Sequence, residues 1–476
     1  MQIRRMHLLC FLLLNFYFLL FLTSCSISKQ ISKKADSILL KDTVISKGHI
    51  GISIYEPATN TYWYNYNADK YFIPASNTKL FTLYAGMKYL GDSLVGLRYQ
   101  LMSDTAINIF PTADPTFFHS DFKTNPVFEF LKSEKRTKYI TQNSTWRENG
   151  LGYGWAWDDY NDDYMVERSA MPIFGNTVKI DTAKIIYNKF YVDINWKADP
   201  QYFTNLIDSF YTLPIKLKAR MYPDSAKASK ELLSFSIKRN IHDNNFVIKT
   251  SPTKFRKQEI PFITENLNPT IGILKNDFGI NVKYGMIFDN GLYPGVPPHF
   301  KIYTIHSQPT DSLFKPMMHR SDNFFAEQTL LMVSNEHLGY MSDEKIIDTL
   351  LKNDLKDVPQ KPKWVDGSGL SRYNLFTPQT FVYILNKTKN EFGWERIKNI
   401  LATGGTGTLT AYFKKDSSFI YAKTGTLSNN CALSGYLITQ KGKLLIFSIL
   451  ANNYPTGATP VRKAVEKFLL DIRKNY

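Results

Sequence analysis

The chain is poor in cysteine, with three among its 476 residues. Cys10 and Cys25 lie within or directly after an N-terminal apolar segment, so only Cys431 belongs to the part that folds. A single cysteine cannot form an intramolecular disulfide, and this excludes a disulfide-supported fold for the mature chain. Cys431 stands in the apolar run 431–436, a setting that favours a buried small side chain over a reactive thiol.

Long hydrophobic runs are also few, and the one at the N-terminus is short for a membrane span. Leu8–Leu22 provides about 15 residues, whereas a helix needs roughly 20 to cross a bilayer. Arg4 and Arg5 precede this run, and small residues followed by Cys25 end it. This order predicts a lipoprotein signal peptide whose cleavage leaves Cys25 as the lipidated first residue. An uncleaved membrane anchor is the alternative.

The same segment predicts where the protein is located. A lipoprotein signal leads to export, and Ser26 after Cys25 replaces the aspartate that would retain a lipoprotein in the inner membrane. We therefore expect a periplasmic protein that is attached to a membrane through a lipid on Cys25, and the outer membrane is favoured.

Acidic residues are fewer than basic ones. The chain has 42 Asp and Glu against 58 Lys and Arg, which gives a formal net charge of +16. For an exported protein this balance favours anionic surroundings such as cell-wall polymer or lipid headgroups, and nucleic acid is not an expected partner. The basic residues are scattered along the chain, so most of them are expected to be solvated surface.

Internal repeats and low-complexity linkers are absent from the sequence, yet its texture changes along the chain. A chain of this length with 43% hydrophobic residues can bury a large core and predicts two or more domains. After the signal (1–24), residues 36–97 and 266–476 have clear strand and helix patterns. Residues 98–265 have short runs, many aromatics and prolines, and little helical periodicity. We therefore predict one discontinuous domain, interrupted by a strand-rich insertion at 98–265.

Strand and helix patterns place the motifs that follow. Alternating residues in His49–Tyr55 and Thr61–Tyr66, on either side of a turn, predict an antiparallel hairpin. Apolar residues at three- and four-residue steps predict a helix that begins at Ser76 and ends near Gly91. Three strands and a final helix are predicted in the last 60 or so residues.

The first chemical motif is Ser-x-x-Lys at Ser76. The pattern occurs six times in the chain, so by itself it carries little information. Residues three apart share a helix face, so the Lys79 amine can reach the Ser76 hydroxyl, and a helix N-terminus favours a developing alkoxide. To act as a base, Lys79 needs a pKa well below the ordinary value of about 10.4, through burial and the nearby charge of Lys423. An ordinary helix cap with a surface lysine is the alternative.

The second motif is Ser-Asp-Asn at Ser321, between two helical segments. Such a loop can present the Ser321 hydroxyl as a proton relay, while the Asn323 side chain holds Lys79 and a substrate amide. The alternative is a simple capping turn, since Ser, Asp and Asn all favour helix starts.

The third motif is Lys-Thr-Gly at Lys423, on a predicted strand. Lys423 is placed to attract a carboxylate, and Gly425, which has no side chain, lets a substrate lie along the strand edge. The Thr426 amide can pair with the amide of Ser76 as an oxyanion hole. Together the three motifs can open an acyl bond without a metal or another cofactor.

The ordered set resembles the class C low-molecular-weight penicillin-binding proteins, of the D-alanyl-D-alanine carboxypeptidase/endopeptidase type, in the serine β-lactamase/transpeptidase-like superfamily. The gap of 245 residues from Ser76 to Ser321 is similar to that family, whereas class A β-lactamases have a far shorter gap. Segments that begin at Gly154, Asp366 and Gly407 are also similar. The resemblance implies an α+β fold (an α/β sandwich), with a central five-stranded antiparallel sheet between helices and a large insertion after the first motif.

The resemblance also implies roles for individual residues. Ser76 is similar to the acylated nucleophile and Lys79 to its base, Ser321 and Asn323 to the relay and positioning pair, and Lys423 to the carboxylate anchor. Thr424, Gly425 and Thr426 are similar to substrate-binding positions. Asp159 is similar in position to an acidic residue that binds the amino end of the peptide's diamino acid. One departure is the segment 111–116, where the family has a glycine-rich Gly-Gly-Asp-Pro-Thr; we expect a changed loop geometry there.

The predicted function is therefore cleavage of a D-Ala–D-Xaa bond in peptidoglycan stem peptides through an acyl-enzyme on Ser76, with inhibition by β-lactams. The balance between carboxypeptidase and endopeptidase action is left open. The alternatives are an esterase or β-lactamase on the same scaffold, and a non-catalytic lipoprotein that binds the cell wall.

Overall fold

The structure is a computed structural model. It describes residues 27–141, 145–180, 182–186, 191–195, 217–219, 235–250, 258–264, 267–285, 301–415 and 417–476. The predicted signal at 1–24 and the lipidation site Cys25 lie outside this range. No helix within it is both long enough and apolar enough to span a bilayer.

The described chain contains both helices and strands. The helices are α1 (27–35), α2 (Lys79–Tyr89), α3 (Pro126–Ser133), α4 (Asn268–Asn276), α5 (Thr310–His319), α6 (Asn323–Leu338), α7 (Asp343–Lys352), α8 (Pro378–Phe392), α9 (Trp394–Ile400) and α10 (Ala458–Asn475). The strands are β1 (His49–Glu56), β2 (Thr61–Tyr66), β3 (Ser93–Ser103), β4 (Ala106–Pro111), β5 (Thr137–Ile140), β6 (Thr177–Ile180), β7 (Thr182–Ile186), β8 (Tyr191–Asn195), β9 (Leu217–Ala219), β10 (Phe235–Arg239), β11 (Phe246–Thr250), β12 (Gln258–Pro261), β13 (Val282–Tyr284), β14 (Ile302–Pro309), β15 (Ala402–Thr403), β16 (Ile420–Leu427), β17 (Asn430–Ile438) and β18 (Leu444–Asn452).

The central sheet has the strand order β15-β16-β17-β18-β1-β2, and all its neighbours are antiparallel. Five of these strands are long, as predicted, and the two-residue β15 adds a short sixth at one edge. The N-terminal hairpin and the three C-terminal strands are confirmed. The α+β fold class is therefore confirmed, with the N-terminal strands joined to the C-terminal ones through β1 and β18.

Helices cover both faces of this sheet. One face packs against α8, which in turn packs against α2, through a core that includes Phe81, Phe381 and Leu450. The other face packs against α10 through a second core that includes Phe447 and Phe468. Because each strand then has apolar neighbours on both sides, seven of the eight residues of β1 are buried. This two-sided burial fixes the register of the strands, since a slip by one residue would exchange the two faces.

The helix that carries the first motif begins where it is predicted, but its first turn is not α-helical. Ala75–Thr78 forms a 3-10 turn, and α2 starts at Lys79. Ala75 adopts a φ of 49°, which a residue inside an α-helix cannot have. The prediction that a helix begins at Ser76 is therefore confirmed, and only its first turn differs, because that turn is a 3-10 turn.

A second sheet has the order β13-β5-β4-β3-β14, with strand-rich segments following in the same part of the chain. Its strands come from both sides of the predicted limits at 98 and 265, since β3 begins at Ser93 and both β13 and β14 follow 265. The strand-rich character of the region agrees with the sequence, and the domain limits stay a prediction.

The loop that departs from the family pattern retains a glycine-like conformation. Ala113 has a φ of 64°, is fully buried, and its amide donates to the carbonyl of Ala170. An alanine in this region is strained relative to glycine. The loop is held in place by that hydrogen bond and by Asp114, which accepts from the Thr116 amide and hydroxyl.

Candidate active site

The turn that contains Ser76 is clamped between α2 and the sheet. The side-chain amide of Asn77 donates to the Ser434 hydroxyl (2.7 Å), and this hydroxyl donates to Ser448 (2.8 Å) on the next strand. On β16, a Cβ added to Gly425 would lie 2.5 Å from the carbonyl oxygen of Pro74. Only a glycine allows the strand to approach the serine turn this closely.

Lys79 has three hydrogen-bond acceptors around its amine. Its Nζ lies 3.0 Å from Ser76 Oγ, 2.5 Å from Asn323 Oδ1 and 2.8 Å from the carbonyl oxygen of Ser368. The side chain is fully buried. The alternative of a surface lysine beside an ordinary helix cap is therefore excluded by the geometry.

Burial is the main cause of the altered acidity of Lys79. It lowers the pKa of the amine to about 8, while the carboxylates of Glu327, Asp366 and Asp322 oppose this shift. The sequence predicts that the charge of Lys423 contributes to this shift. In the structure the repulsion between the two amines acts instead on Lys423, whose pKa is lowered well below its usual value by burial, by Lys79 and by Arg462.

The Ser321 loop joins α5 to α6 and is held from two sides. Ser321 itself has a φ of 64°, which is strained for a residue other than glycine. Asp322 caps α6 by accepting from the Phe325 amide (2.9 Å). Arg320 spans the strained residue, because its Nε and Nη2 both donate to Asp322, and it also pairs with Asp121 from the second-sheet region.

Lys423 directs its amine at this loop. Its Nζ donates to Ser321 Oγ (2.7 Å) and to the carbonyl oxygen of Thr424 (2.7 Å), and the side chain is fully buried. The structure thus brings the five predicted side chains together in two hydrogen-bonded groups. Lys79, Ser76 and Asn323 form one, Lys423 and Ser321 form the other, and the loop 321–323 connects them.

Ser368 is a site residue that lies outside the three motifs. Its carbonyl accepts from Lys79, and its loop is held by Asp366, which accepts from the amides of Gly369 and Ser371 and from Asn374. Gly369 has a φ of 86°, and a Cβ there would lie 2.0 Å from the carbonyl oxygen of Ala75. In the sequence, the glycines of this segment are the signal that could have indicated a site loop, because they allow the loop to pack on the serine turn.

A group of buried ionisable side chains next to the site also lies outside the three motifs. Glu327 lies on α6 one turn after Asn323, and its Oε1 accepts from the Ser368 amide (2.7 Å). Arg168 is buried with it at 3.6 Å and also pairs with Asp343 and Glu148. Burial raises the pKa of Glu327 to about 8, with the neighbouring Asp366 adding to the shift and Arg168 opposing it. No local pattern marks these residues, since their partners are far apart in sequence.

Asp159 lies near the site rather than in its hydrogen-bonded groups. It ends the short 3-10 turn Trp157–Asp159 and is half-buried. The Tyr164 hydroxyl donates to Asp162 (3.1 Å) and also interacts with Asp159, while the Tyr164 carbonyl accepts from Asn323 Nδ2 (2.8 Å). Asp159 is thus three contacts from Lys79, through Tyr164 and Asn323, and its role in holding a diamino acid stays a prediction.

Thr424 and Thr426 occupy alternate positions of β16. The Thr424 hydroxyl donates to Thr408 (2.7 Å), and the Thr426 hydroxyl accepts from Arg462 of α10. Pairing of the Thr426 and Ser76 amides as an oxyanion hole stays a prediction. Across the described chain, no group of three or more His, Cys, Asp or Glu side chains is arranged to hold a metal ion.

The comparison with known families covers almost the whole chain. The D-Ala-D-Ala carboxypeptidase 3 (S13) family matches residues 31–472. The chain belongs to this family. Membership confirms the predicted resemblance and the enzyme class, a serine D-Ala-D-Ala carboxypeptidase.

Two relatives can be aligned with this chain over most of their length. D-alanyl-D-alanine carboxypeptidase DacB of Haemophilus influenzae is 23% identical over 422 residues, which is 83% of each chain. Penicillin-sensitive carboxypeptidase A of Dictyostelium discoideum is 22% identical over 471 residues, covering 88% of this chain and 86% of that protein.

A solved structure shows the same fold. Penicillin binding protein 4 (dacB) from Haemophilus influenzae has a TM-score of 0.68 at 19% identity, and the match covers 94% of this chain and 99% of that one. The same protein complexed with a β-lactam has a TM-score of 0.65 at 16% identity.

Proposed function

We propose that this S13 enzyme cleaves D-Ala–D-Xaa bonds of peptidoglycan stem peptides through an acyl-enzyme on Ser76. The contact between the buried Lys79 amine and Ser76 Oγ, at 3.0 Å, carries the proposal. A lysine whose pKa is lowered to about 8 is neutral in about one molecule in ten at pH 7, which is enough for it to act as a general base.

The reaction has two acyl transfers. Neutral Lys79 takes the proton of Ser76 as Oγ attacks the carbonyl carbon of the penultimate D-Ala. The amide C–N bond breaks, and the departing amine receives a proton from Lys79 through the Ser321 hydroxyl. Water then attacks the ester, gives its proton to Lys79, and the Ser76 oxygen recovers its proton as the acyl group leaves.

The remaining side chains hold this arrangement. Asn323 accepts from Lys79 through Oδ1 and donates to the Tyr164 carbonyl through Nδ2, so both ends of its amide are occupied. Lys423 fixes the Ser321 hydroxyl. We propose that the amides of Ser76 and Thr426 stabilise the tetrahedral oxyanion, and that Gly425 and Thr424 bind the peptide along β16.

A fluorescent penicillin tests the nucleophile. A β-lactam presents a strained amide in place of the D-Ala–D-Ala bond, so the wild-type protein is expected to be labelled covalently and Ser76→Ala is expected to lose all labelling. Ser312→Ala is the matched control, because Ser312 also begins a Ser-x-x-Lys pattern but its hydroxyl only bonds the Pro309 carbonyl. Labelling of Ser76→Ala, or loss of labelling in Ser312→Ala, would contradict the assignment.

Products from purified muropeptides test the reaction. We expect release of D-Ala from pentapeptide monomers, cleavage of cross-linked dimers, or both, as detected by mass spectrometry. Rapid penicillin hydrolysis without any peptide product would favour a β-lactamase or esterase. Binding to sacculi without product, by wild type and Ser76→Ala alike, would favour a non-catalytic wall-binding protein.

An enzyme with this substrate acts outside the cytoplasm, where peptidoglycan lies. We further propose that Cys25 is lipidated and that the lipid anchors the protein to the outer membrane. Labelling of cells with an alkyne fatty acid is expected to mark the wild-type protein and not Cys25→Ser. Equal labelling of both would contradict the anchor.

A further inference from the structure

The first described helix, α1, is packed onto the catalytic domain. Ile31 and Ala35 of α1 are fully buried in the core between the central sheet and α10. Between them and the solvent, the amine of Lys34 pairs with Asp471 of α10 (2.9 Å). α1 is therefore a part of the folded domain and not a flexible connection to it.

α1 lies at the edge of the central sheet that is far from the active site. The Tyr476 hydroxyl, just after α10, donates to Gln30 of α1 (3.1 Å), and the Tyr476 ring packs on Trp63 of β2 (5.6 Å between ring centres). β2 is the outer strand on that side, and β16, which carries Lys423, is four strands away in the sheet order. At a spacing of about 4.8 Å between neighbouring strands, β2 and β16 lie about 20 Å apart.

The chain between Cys25 and this helix is very short. Only one residue, Ser26, separates Cys25 from Ile27 in the sequence. Two residue steps of fully extended chain span at most about 7 Å. A lipid on Cys25, as proposed above, therefore places the headgroup region of the membrane beside the first turn of α1. The domain can then turn about its anchor, but it cannot move away from the membrane surface.

The face of α1 that points away from the core carries two lysines. Lys29 and Lys33 are four residues apart, so they share one helix face, and both are exposed. Among the described residues neither amine has a carboxylate within 4 Å, whereas the neighbouring Lys34 is neutralised by Asp471. Two uncompensated cations beside a lipid anchor suit anionic headgroups, and this attraction adds to the hold of the lipid.

We propose that the exposed face of α1, with Lys29 and Lys33, lies on the anionic phospholipid headgroups around the lipid of Cys25. The proposal rests on the lipid anchor proposed above. In this contact the β2 edge of the central sheet is held against the membrane, and the β16 edge with the active site is directed away from it. The enzyme then reaches cell-wall peptides at a fixed height above the membrane, whereas a flexible connection would allow a wide range of heights.

Acetylation of lysines on the full-length lipoprotein tests this contact. The protein is placed in non-ionic detergent or in vesicles that contain phosphatidylglycerol, treated with a membrane-impermeant acetylating reagent, and digested for mass spectrometry. On vesicles the acetylation of Lys29 and Lys33 is expected to slow about tenfold, because an anionic leaflet holds both amines at its surface. Lys414 and Lys415, which are exposed between β15 and β16, should react at the same rate in detergent and on vesicles.

Two variants separate the roles of chain length and charge. A Gly-Ser linker of about 20 residues between Ser26 and Ile27 spans about 25 Å, and it is expected to restore most of the reactivity of the α1 lysines. Lys29→Gln is expected to raise the reactivity of Lys33 on vesicles about threefold to fivefold, because one of the two attractive charges is lost. Lys414→Gln removes the same charge near the other edge of the sheet and should leave the reactivity of Lys33 unchanged.

Three results would overturn the inference. The first is an equal rate for Lys29 and Lys33 in detergent and on vesicles. The second is equal protection of the two control lysines on vesicles, which would show unspecific adsorption. The third is protection of Lys29 and Lys33 by purified sacculi in detergent, which would show that α1 binds cell-wall polymer.

The proposed anchor and the proposed reaction are judged separately. Absence of fatty-acid labelling at Cys25 contradicts the anchor alone. In that case a maleimide phospholipid coupled to Cys25 supplies the lipid, since Cys431 is buried, and the same acetylation rates are measured. None of these rates depends on the acylation of Ser76, so a failure of the peptidase function leaves the test of α1 intact.

Discussion

At the scale of single residues, the decisive feature is an amine without access to water. Lys79 is fully buried and donates to three oxygens, so the ammonium form is hydrogen-bonded but poorly solvated. Burial favours the neutral form, and the carboxylates of Glu327 and Asp366 favour the charged one. The result is a lysine that changes charge near neutral pH instead of above pH 10.

The acylation rate should therefore depend on pH. Below a pH of about 8 Lys79 is mostly an ammonium and cannot take the Ser76 proton, so the second-order rate constant for penicillin acylation is expected to fall about tenfold per pH unit. Above that pH the rate should level off. Stopped-flow measurement from pH 5.5 to 9.5 checks this.

A substitution of the same residue gives the matching control. Lys79→Arg places a group that stays protonated over this whole range, so acylation should be lost at every pH. A wild-type profile that is flat between pH 6 and 9, or acylation by Lys79→Arg, would show that Lys79 is not the base.

At the scale of elements, the loop between α5 and α6 depends on a clamp outside the motif. Ser321 keeps a left-handed conformation, with a φ of 64°, that costs about 1–3 kcal/mol for a residue other than glycine. Arg320 donates to Asp322 of the same loop through two nitrogens and pairs with Asp121. The clamp therefore helps to hold the Ser321 hydroxyl towards Lys423.

Removal of the clamp should slow the chemical step. Arg320→Gln is expected to lower the first-order acylation rate constant about tenfold with little change in penicillin affinity, because the relay hydroxyl is no longer held in position. Arg396→Gln breaks a comparable two-nitrogen pair with Asp311, between α9 and α5, and should leave acylation unchanged. Equal effects of the two variants would contradict a positioning role for Arg320.

At the scale of the whole molecule, buried charges connect distant parts of the chain. Arg168 and Glu148 lie within the predicted insertion, whereas Glu327 and Asp343 belong to α6 and α7. The Glu327 side chain also accepts a hydrogen bond from the Ser368 amide, and the Ser368 carbonyl accepts one from Lys79. The insertion is thus joined to the active site through a nearly dry cluster of ionisable groups around Arg168.

Loss of the central cation should destabilise the protein. In Arg168→Met three buried carboxyl groups lose their partner, and the free energy of unfolding is expected to fall by about 3–5 kcal/mol, as measured in urea. Lys352→Met removes a solvent-exposed cation that pairs with Asp348 and should leave the free energy of unfolding unchanged. A change in Arg168→Met no larger than that in Lys352→Met would show that the cluster does not support the fold.

The sequence by itself determined the chemistry and the class of fold. Ser76, Lys79, Ser321, Asn323 and Lys423 were recognisable because each stands in a short motif, and the central strands because their side-chain pattern is local. The tertiary structure decided which groups surround them. Ser368 bonds Lys79 and Arg462 bonds Thr426 from positions far away in the chain, and Glu327 bonds the Ser368 amide. Only the folded register brings these groups together. Local sequence patterns do not predict such contacts, since the burial and pairing of these side chains arise only when the helices pack on the sheet.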